Sequence, residues 1–318
     1  MTRDWNDDSG SYVRYLPSAV DTIILGNAEK YRDFRWFYDD SLSWRYPYVL
    51  ISAANAGINS GIRHRLPSDM YILGDSGGFT IGKGERYLNP VQVLRWQERN
   101  CSEAVMLDLP PSRRERIPLE RSLQESLEYT RIMLDNKERK DLRMLTVLHG
   151  FNEQQVERWY NEMSALGKTD AWATSVRTYQ DWSDSDPSTT ARRLLFLGER
   201  GAKRIHIFKG SGIDSILTIV WFTMRRLKGV YVTFDSVTWL SEHYGDIHHP
   251  LIHAWVDDFK RVHNRSNIVP ICGCPFCANL KYTSVPAIRE GKRDYKYVMG
   301  YNNHNVWSLW FLIESLIE

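Results

Sequence analysis

Three aspartates stand in settings where a carboxylate can do chemistry: Asp75 in Gly-Asp-Ser-Gly-Gly-Phe, Asp108 in Met-Leu-Asp-Leu-Pro-Pro and Asp235 in Thr-Phe-Asp-Ser. Each closes a short apolar run of the kind that forms a buried strand, so each is expected at or beside a strand's C-terminal end. Singly, an aspartate there is ordinarily a turn former or a helix cap. Three acids at strand ends sharing one face are a different matter, because one carboxyl can attack as a nucleophile while another moves a proton. Gly77 and Gly78 permit a tight turn and close approach of a flat ligand to the backbone, and Phe79 offers a ring for stacking. The plainer reading of that trio is a turn beside a core phenylalanine.

A second constellation lies further along. Cys272, Cys274 and Cys277 put three thiols on a tight turn, and His304 adds an imidazole from a distant segment. Three thiolates and a neutral histidine suit tetrahedral zinc and leave no position for water or substrate, so the expected Zn2+ is structural. Buried free cysteines are the alternative.

The elements that must position these residues read as β-strands alternating with helices. Candidate strands are Thr22–Gly26, Tyr48–Ala53, Tyr71–Ser76, Ala104–Leu109, Met144–Gly150, Ala171–Val176, Arg204–Gly210 and Gly229–Ser236. Helical periodicity marks Pro118–Asn136, Glu153–Leu166, Pro187–Glu199 and Ile213–Lys228; in the last, Ile213, Ile216, Leu217, Val220, Met224 and Leu227 share an apolar face. The expected fold class is therefore α/β, a closed (β/α)8 TIM barrel over residues 1–264. A small zinc-binding subdomain and a C-terminal helix would follow over 265–318. An open doubly wound sheet would show the same local alternation, and the count of eight strands favours closure.

The 318 residues, with 42% hydrophobic and 25% charged, suit one large barrel with an appendage. The polar, acidic start of the chain does not read as a signal peptide, and no apolar stretch is long enough to span a bilayer. Cysteines crowded into one turn argue against a disulfide framework and for a reducing cytoplasm, that of a host cell if the chain is phage-encoded. The net charge of +2 conceals a basic gathering that includes Lys260, Arg261, Arg265, Lys281, Arg289, Lys292, Arg293 and Lys296. Such a cluster is ordinarily a solvated face, and beside catalytic motifs it can hold phosphates. Trp307 and Trp310 are candidates for a homodimer contact.

Taken together, Asp75-Ser76-Gly77-Gly78-Phe79, Asp108 with Pro110-Pro111, Phe234-Asp235-Ser236 and Cys-x-Cys-x2-Cys with its later histidine resemble the tRNA-guanine transglycosylase superfamily. The likeness runs from about Tyr71 to His304 and is strongest to the branch that inserts 7-deazaguanines into DNA. The resemblance implies exchange of a guanine in nucleic acid for a 7-deazaguanine base such as preQ0. Asp235 would be the nucleophile that forms a covalent sugar ester, and Asp75 the general acid/base, with Ser76 and Gly78 beside it and Phe79 stacking on the base. Asp108 would recognise the guanine-like edge. His149-Gly150 falls where the tRNA enzymes carry Gln-Gly, making His149 a base contact of altered chemistry. Ser175-Val176 replaces a Gly-Leu pair, and Lys209-Gly210 stands near a pocket position often taken by methionine.

Three departures favour DNA over tRNA: the chain ends one helix after His304, Val237-Thr238-Trp239 replaces a Pro-Thr-Arg-like stretch, and His149 replaces glutamine. Two readings from other classes also fit the residues, a barrel glycoside hydrolase using Asp75 and Asp235, and a non-catalytic nucleic-acid-binding protein on the same scaffold.

Overall fold

The computed structural model describes residues 12–19, 46–84, 87–112, 115–167, 169–175, 187–210 and 213–236, together with 310, 313, 314 and 317. Eight parallel strands form one closed barrel in sequence order. They are β1 (Tyr12–Ala19), β2 (Tyr48–Ser52), β3 (Tyr71–Asp75), β4 (Glu103–Val105), β5 (Arg143–Leu148), β6 (Ala171–Ser175), β7 (Arg204–Phe208) and β8 (Tyr231–Ser236). The helices between them are α1 (Ala53–Ala56), α2 (Gly78–Gly82), α3 (Pro90–Asn100), α4 (Leu119–Asn136), α5 (Glu153–Leu166), α6 (Pro187–Glu199) and α7 (Ile213–Arg226). This is the (β/α)8 architecture expected from the alternation. None of these helices is long and apolar enough to cross a membrane.

The first strand is not where the apolar pattern put it. Barrel closure is made by Tyr12–Ala19, which pairs with β8 from Tyr12 opposite Tyr231 to Pro17 opposite Ser236; Thr22–Gly26 lies outside the described residues. The physical reason is parity. Val13 and Tyr15 pack against the helical layer while Leu16 belongs to the barrel interior, so Arg14 and Pro17 break what would otherwise read as an apolar run. Arg14 is accommodated because it donates to Glu314, 3.0 Å away, and lies over the Tyr12 and Tyr48 rings. The zinc candidates Cys272, Cys274, Cys277 and His304, the basic segment and Trp307 also lie outside the described residues. Trp310 and the buried Ile313 pack against the barrel's own apolar layer.

Strand parity separates two apolar layers. Leu16, Leu50, Leu73, Val105, Val147 and Ala173 fill the interior, whereas Val49, Ile72, Ile205, Val232 and Phe234 face outward toward the helices. The inward set carries polar groups at both ends of the cylinder. At the N-terminal end Glu103 accepts from Tyr71 Oη at 2.8 Å and Arg143 at 2.9 Å, and Arg204 lies 3.4 Å away. Removing one partner of a buried ion pair strands the other charge, at a cost of about 3–5 kcal/mol. Glu103→Leu should lower unfolding stability by that order in urea titration; an unchanged midpoint would mean the cluster is not shielded from water.

Candidate active site

At the C-terminal end the same parity delivers the chemistry. Ser18 follows Leu16, Ser52 follows Leu50, Asp75 follows Leu73, Ser175 follows Ala173 and Asp235 follows Thr233, each two residues on and therefore inward. This is the face on which barrel enzymes build their sites.

Asp235 is buried, 7% exposed, with both oxygens engaged. The Ser18 hydroxyl donates to Oδ2 in a short contact. The Lys209 backbone N–H donates to Oδ1 at 2.9 Å. That N–H is turned toward the acid because Lys209 adopts a left-handed conformation, φ 57°, just beyond β7. His206 Nε2 approaches Oδ1 at 3.3 Å, too poorly aligned for a full hydrogen bond but within ion-pair range. Burial alone would raise this carboxyl, but the contacts from His206, Ser18 and Lys209 outweigh it and hold Asp235 below the usual carboxylate range.

Asp75 goes the other way. It keeps some contact with solvent, yet desolvation, reinforced by the charge of Asp108 and then of Asp235, pushes its carboxyl up to about 7. A hydrogen bond with Ser52, opposite it in the β2–β3 register, and one with Gly77 N–H resist the shift without reversing it. At neutral pH one inward carboxyl is thus ionised and pinned while another is near half-protonated. Such a split is the kind of arrangement that can divide proton transfer and nucleophilic attack between two carboxyls.

Asp108 sits three residues beyond β4, on the loop rather than on the strand as the sequence suggested, because β4 is only three residues long. It is 7% exposed, and its Oδ2 lies 2.7 Å from His149 Nε2. The His149 ring meets Trp159 edge-on at 5.0 Å. Gly78 lets this acid approach, since a Cβ there would collide with the Asp108 carboxylate and carbonyl. Gly77, at φ 90°, likewise leaves no room for a side chain against Ala54.

The remaining candidates divide by place. Ser76 is fully buried, and its Oγ has no hydrogen-bond partner among the described residues. Phe79 lies at the rim, 37% exposed, with the ammonium groups of Lys209 and Lys83 at 4.3 and 4.6 Å from its ring centre. It is a rim aromatic rather than core. Gly150 accepts from the buried Arg193 guanidinium, which desolvation lowers to about 10. Gly210 packs so tightly on Phe234 and Ile219 that an added Cβ would sit 3.1 Å from each. Ser175 ends β6 on the inward face, and Val176 lies outside the described residues.

Ser18, Ser52, His206 and Thr233 were not among the sequence candidates. Among the described residues no group of three or more His, Cys, Asp and Glu side chains is arranged to hold a metal ion.

No protein-family model matches the chain, and no curated protein does. Solved structures that match include a protein assigned as a fructose-1,6-biphosphate aldolase from Coccidioides immitis. It is 9% identical, with 97% of this chain and 90% of that chain covered at a TM-score of 0.43. That likeness carries nothing about activity.

Proposed function

We propose that the protein is a transglycosylase that exchanges guanine in DNA for a 7-deazaguanine base such as preQ0 through a covalent Asp235–sugar ester. The reading rests on the resemblance in the sequence. The observation that supports it best is the opposed protonation of two inward carboxyls, Asp235 held ionised and Asp75 raised to about 7, at one end of the barrel.

The chemistry follows from those roles. Asp235 attacks C1′ of the target nucleotide as Asp75 protonates the departing guanine, through an oxocarbenium-like transition state. The incoming base then gives its ring proton to Asp75 and displaces Asp235 from C1′. Asp108, oriented by His149 and given room by Gly78, recognises the donor-rich edge of either base, and Phe79 stacks at the mouth. Lys209 and Lys83 supply positive charge where phosphates would pass. A duplex must release the target nucleotide from its stack before C1′ can be reached. Water must be kept from the ester, since hydrolysis would leave an abasic site.

The donor set of Cys272, Cys274, Cys277 and His304 fits a closed structural zinc site, three thiolates with one imidazole. Such an ion would fasten the segment after the barrel by adding metal-binding free energy to folding. Cys274→Ser should lose bound zinc and lower the melting temperature; full zinc stoichiometry in the variant would defeat the assignment.

The test of function is incubation with guanine-containing DNA and labelled preQ0, with tRNA in parallel. Label entering DNA is the expected outcome. Label entering tRNA alone would move the substrate to tRNA and keep the enzyme class. Free or abasic sugar without uptake of a base would instead identify a hydrolase, and no product with retained nucleic-acid affinity a binding protein.

A further inference from the structure

The proposed chemistry leaves the buried imidazole of His206 without a task. His206 stands in the middle of β7, fully buried, with its ring edge-on to Phe208 at 4.8 Å. Its Nδ1 lies 2.8 Å from Thr233 Oγ1 on the neighbouring strand, where the two residues are register partners. Nε2 faces Asp235 Oδ1 at 3.3 Å. An imidazole costs more to bury than an apolar side chain of similar size, so its presence between Ile205 and Ile207 calls for a compensating role. Because ionised Asp235 can only accept, the arrangement that suits both ring nitrogens has the Thr233 hydroxyl donating to Nδ1 and the ring proton on Nε2, directed at Asp235.

We infer that His206 is a positioning residue that stabilises Asp235 as a departing carboxylate, so that its largest effect falls on resolution of the sugar ester rather than on its formation. The inference rests on Asp235 being the nucleophile. In the resolving step the C1′–Oδ bond breaks and its electron pair returns to Asp235. The ring nitrogen of the incoming purine-like base bonds to C1′ and gives its proton to Asp75. Full negative charge reappears on Asp235 at that moment, and a preorganised N–H in a water-poor wall acts most strongly on charge that is developing. The same contact makes Asp235 a weaker attacker, so it displaces the balance from ester toward free enzyme.

A ring present only to fill space would act differently, because its loss would lower ester formation and turnover together. The test measures covalent adduct as a fraction of enzyme in denaturing gels, alongside base exchange, with guanine-containing DNA and tRNA as substrates. His206→Asn removes the Nε2–H dipole that faces Asp235 and should raise the ratio of adduct to turnover severalfold, with about tenfold as the ceiling set by a fully formed hydrogen bond to a charged group. His206→Gln, whose amide reaches the position of Nε2, should restore most of the wild-type ratio. Thr233→Val keeps the ring but loosens its tautomer and should shift the ratio the same way by less; it decides the matter if His206→Asn does not fold. A folded His206→Asn with an unchanged ratio, or with adduct and turnover falling in step, overturns the inference while wild-type adduct leaves the nucleophile standing. Wild-type protein that forms no adduct on either nucleic acid overturns both.

Discussion

Asp235→Asn is expected to abolish the covalent adduct and to cut base exchange by about four orders of magnitude or more, the scale on which a nucleophile's loss is felt. Asparagine preserves the outline of the side chain: its Oδ1 can still accept from Lys209 N–H, and its Nδ2 can donate to the Ser18 hydroxyl oxygen where Asp235 accepts from that hydroxyl. The barrel should therefore survive and the chemistry should not. Release of labelled guanine from DNA, with circular dichroism as the control on folding, measures both. Exchange that survives at more than a hundredth of the wild-type rate would show that the attacking group is another residue.

Asp75→Asn is the second large effect, with an expected fall of about 10²- to 10⁴-fold, the usual range for a general acid/base. It should also change two pH profiles. Under the proposed mechanism guanine release requires Asp75 protonated, so its rate in the wild type should decline as pH rises through about 7. The variant should lose that limb. For folding, a carboxyl raised in the native state binds its proton more tightly there than in the unfolded chain. Its contribution to stability is therefore fully present below about 4 and lost as pH rises through about 7. Urea unfolding of wild type should show that decline, and Asp75→Asn should flatten it; identical slopes in the two proteins would mean that Asp75 is solvated like any surface carboxylate.

The barrel was largely legible because its strands are short apolar runs set between helices with clear periodicity, and α4 through α7 fall almost where that periodicity puts them. The exception is instructive. β1 reads Tyr-Val-Arg-Tyr-Leu-Pro-Ser-Ala, and an arginine and a proline hide it from any search for continuous hydrophobicity, although its alternation into two faces is intact. Arg14 is held in the wall in part by Glu314, which reaches it from the far end of the chain. That is a contact no local pattern can reveal.

The site was legible in its acids and not in its supports. Asp75, Asp108 and Asp235 announce themselves because a carboxylate after an apolar strand is conspicuous. Ser18 and Ser52 do not, since a serine at a strand end is unremarkable until the register places it against Asp235 or Asp75. His206 carried a signal that could have been read. In Arg-Ile-His-Ile-Phe an ionisable ring alternates with isoleucines, so it must share the inward face with Phe208. On β8 the same parity puts Thr233 and Asp235 on that face, one strand away. The pairing of His149 with Asp108 was the hardest to foresee, because both lie beyond the ends of their strands and their meeting depends on loop geometry.

The most direct test is to mix the protein with a guanine-containing oligonucleotide, quench with acid, digest with protease and locate the sugar-bearing peptide by mass spectrometry. The expected result is an ester on Asp235, in the Tyr231–Ser236 strand, that disappears when excess base is supplied before the quench. A sugar attached to Asp75 or Asp108 instead, or an exchanged base with no enzyme-bound sugar at any time, would contradict it.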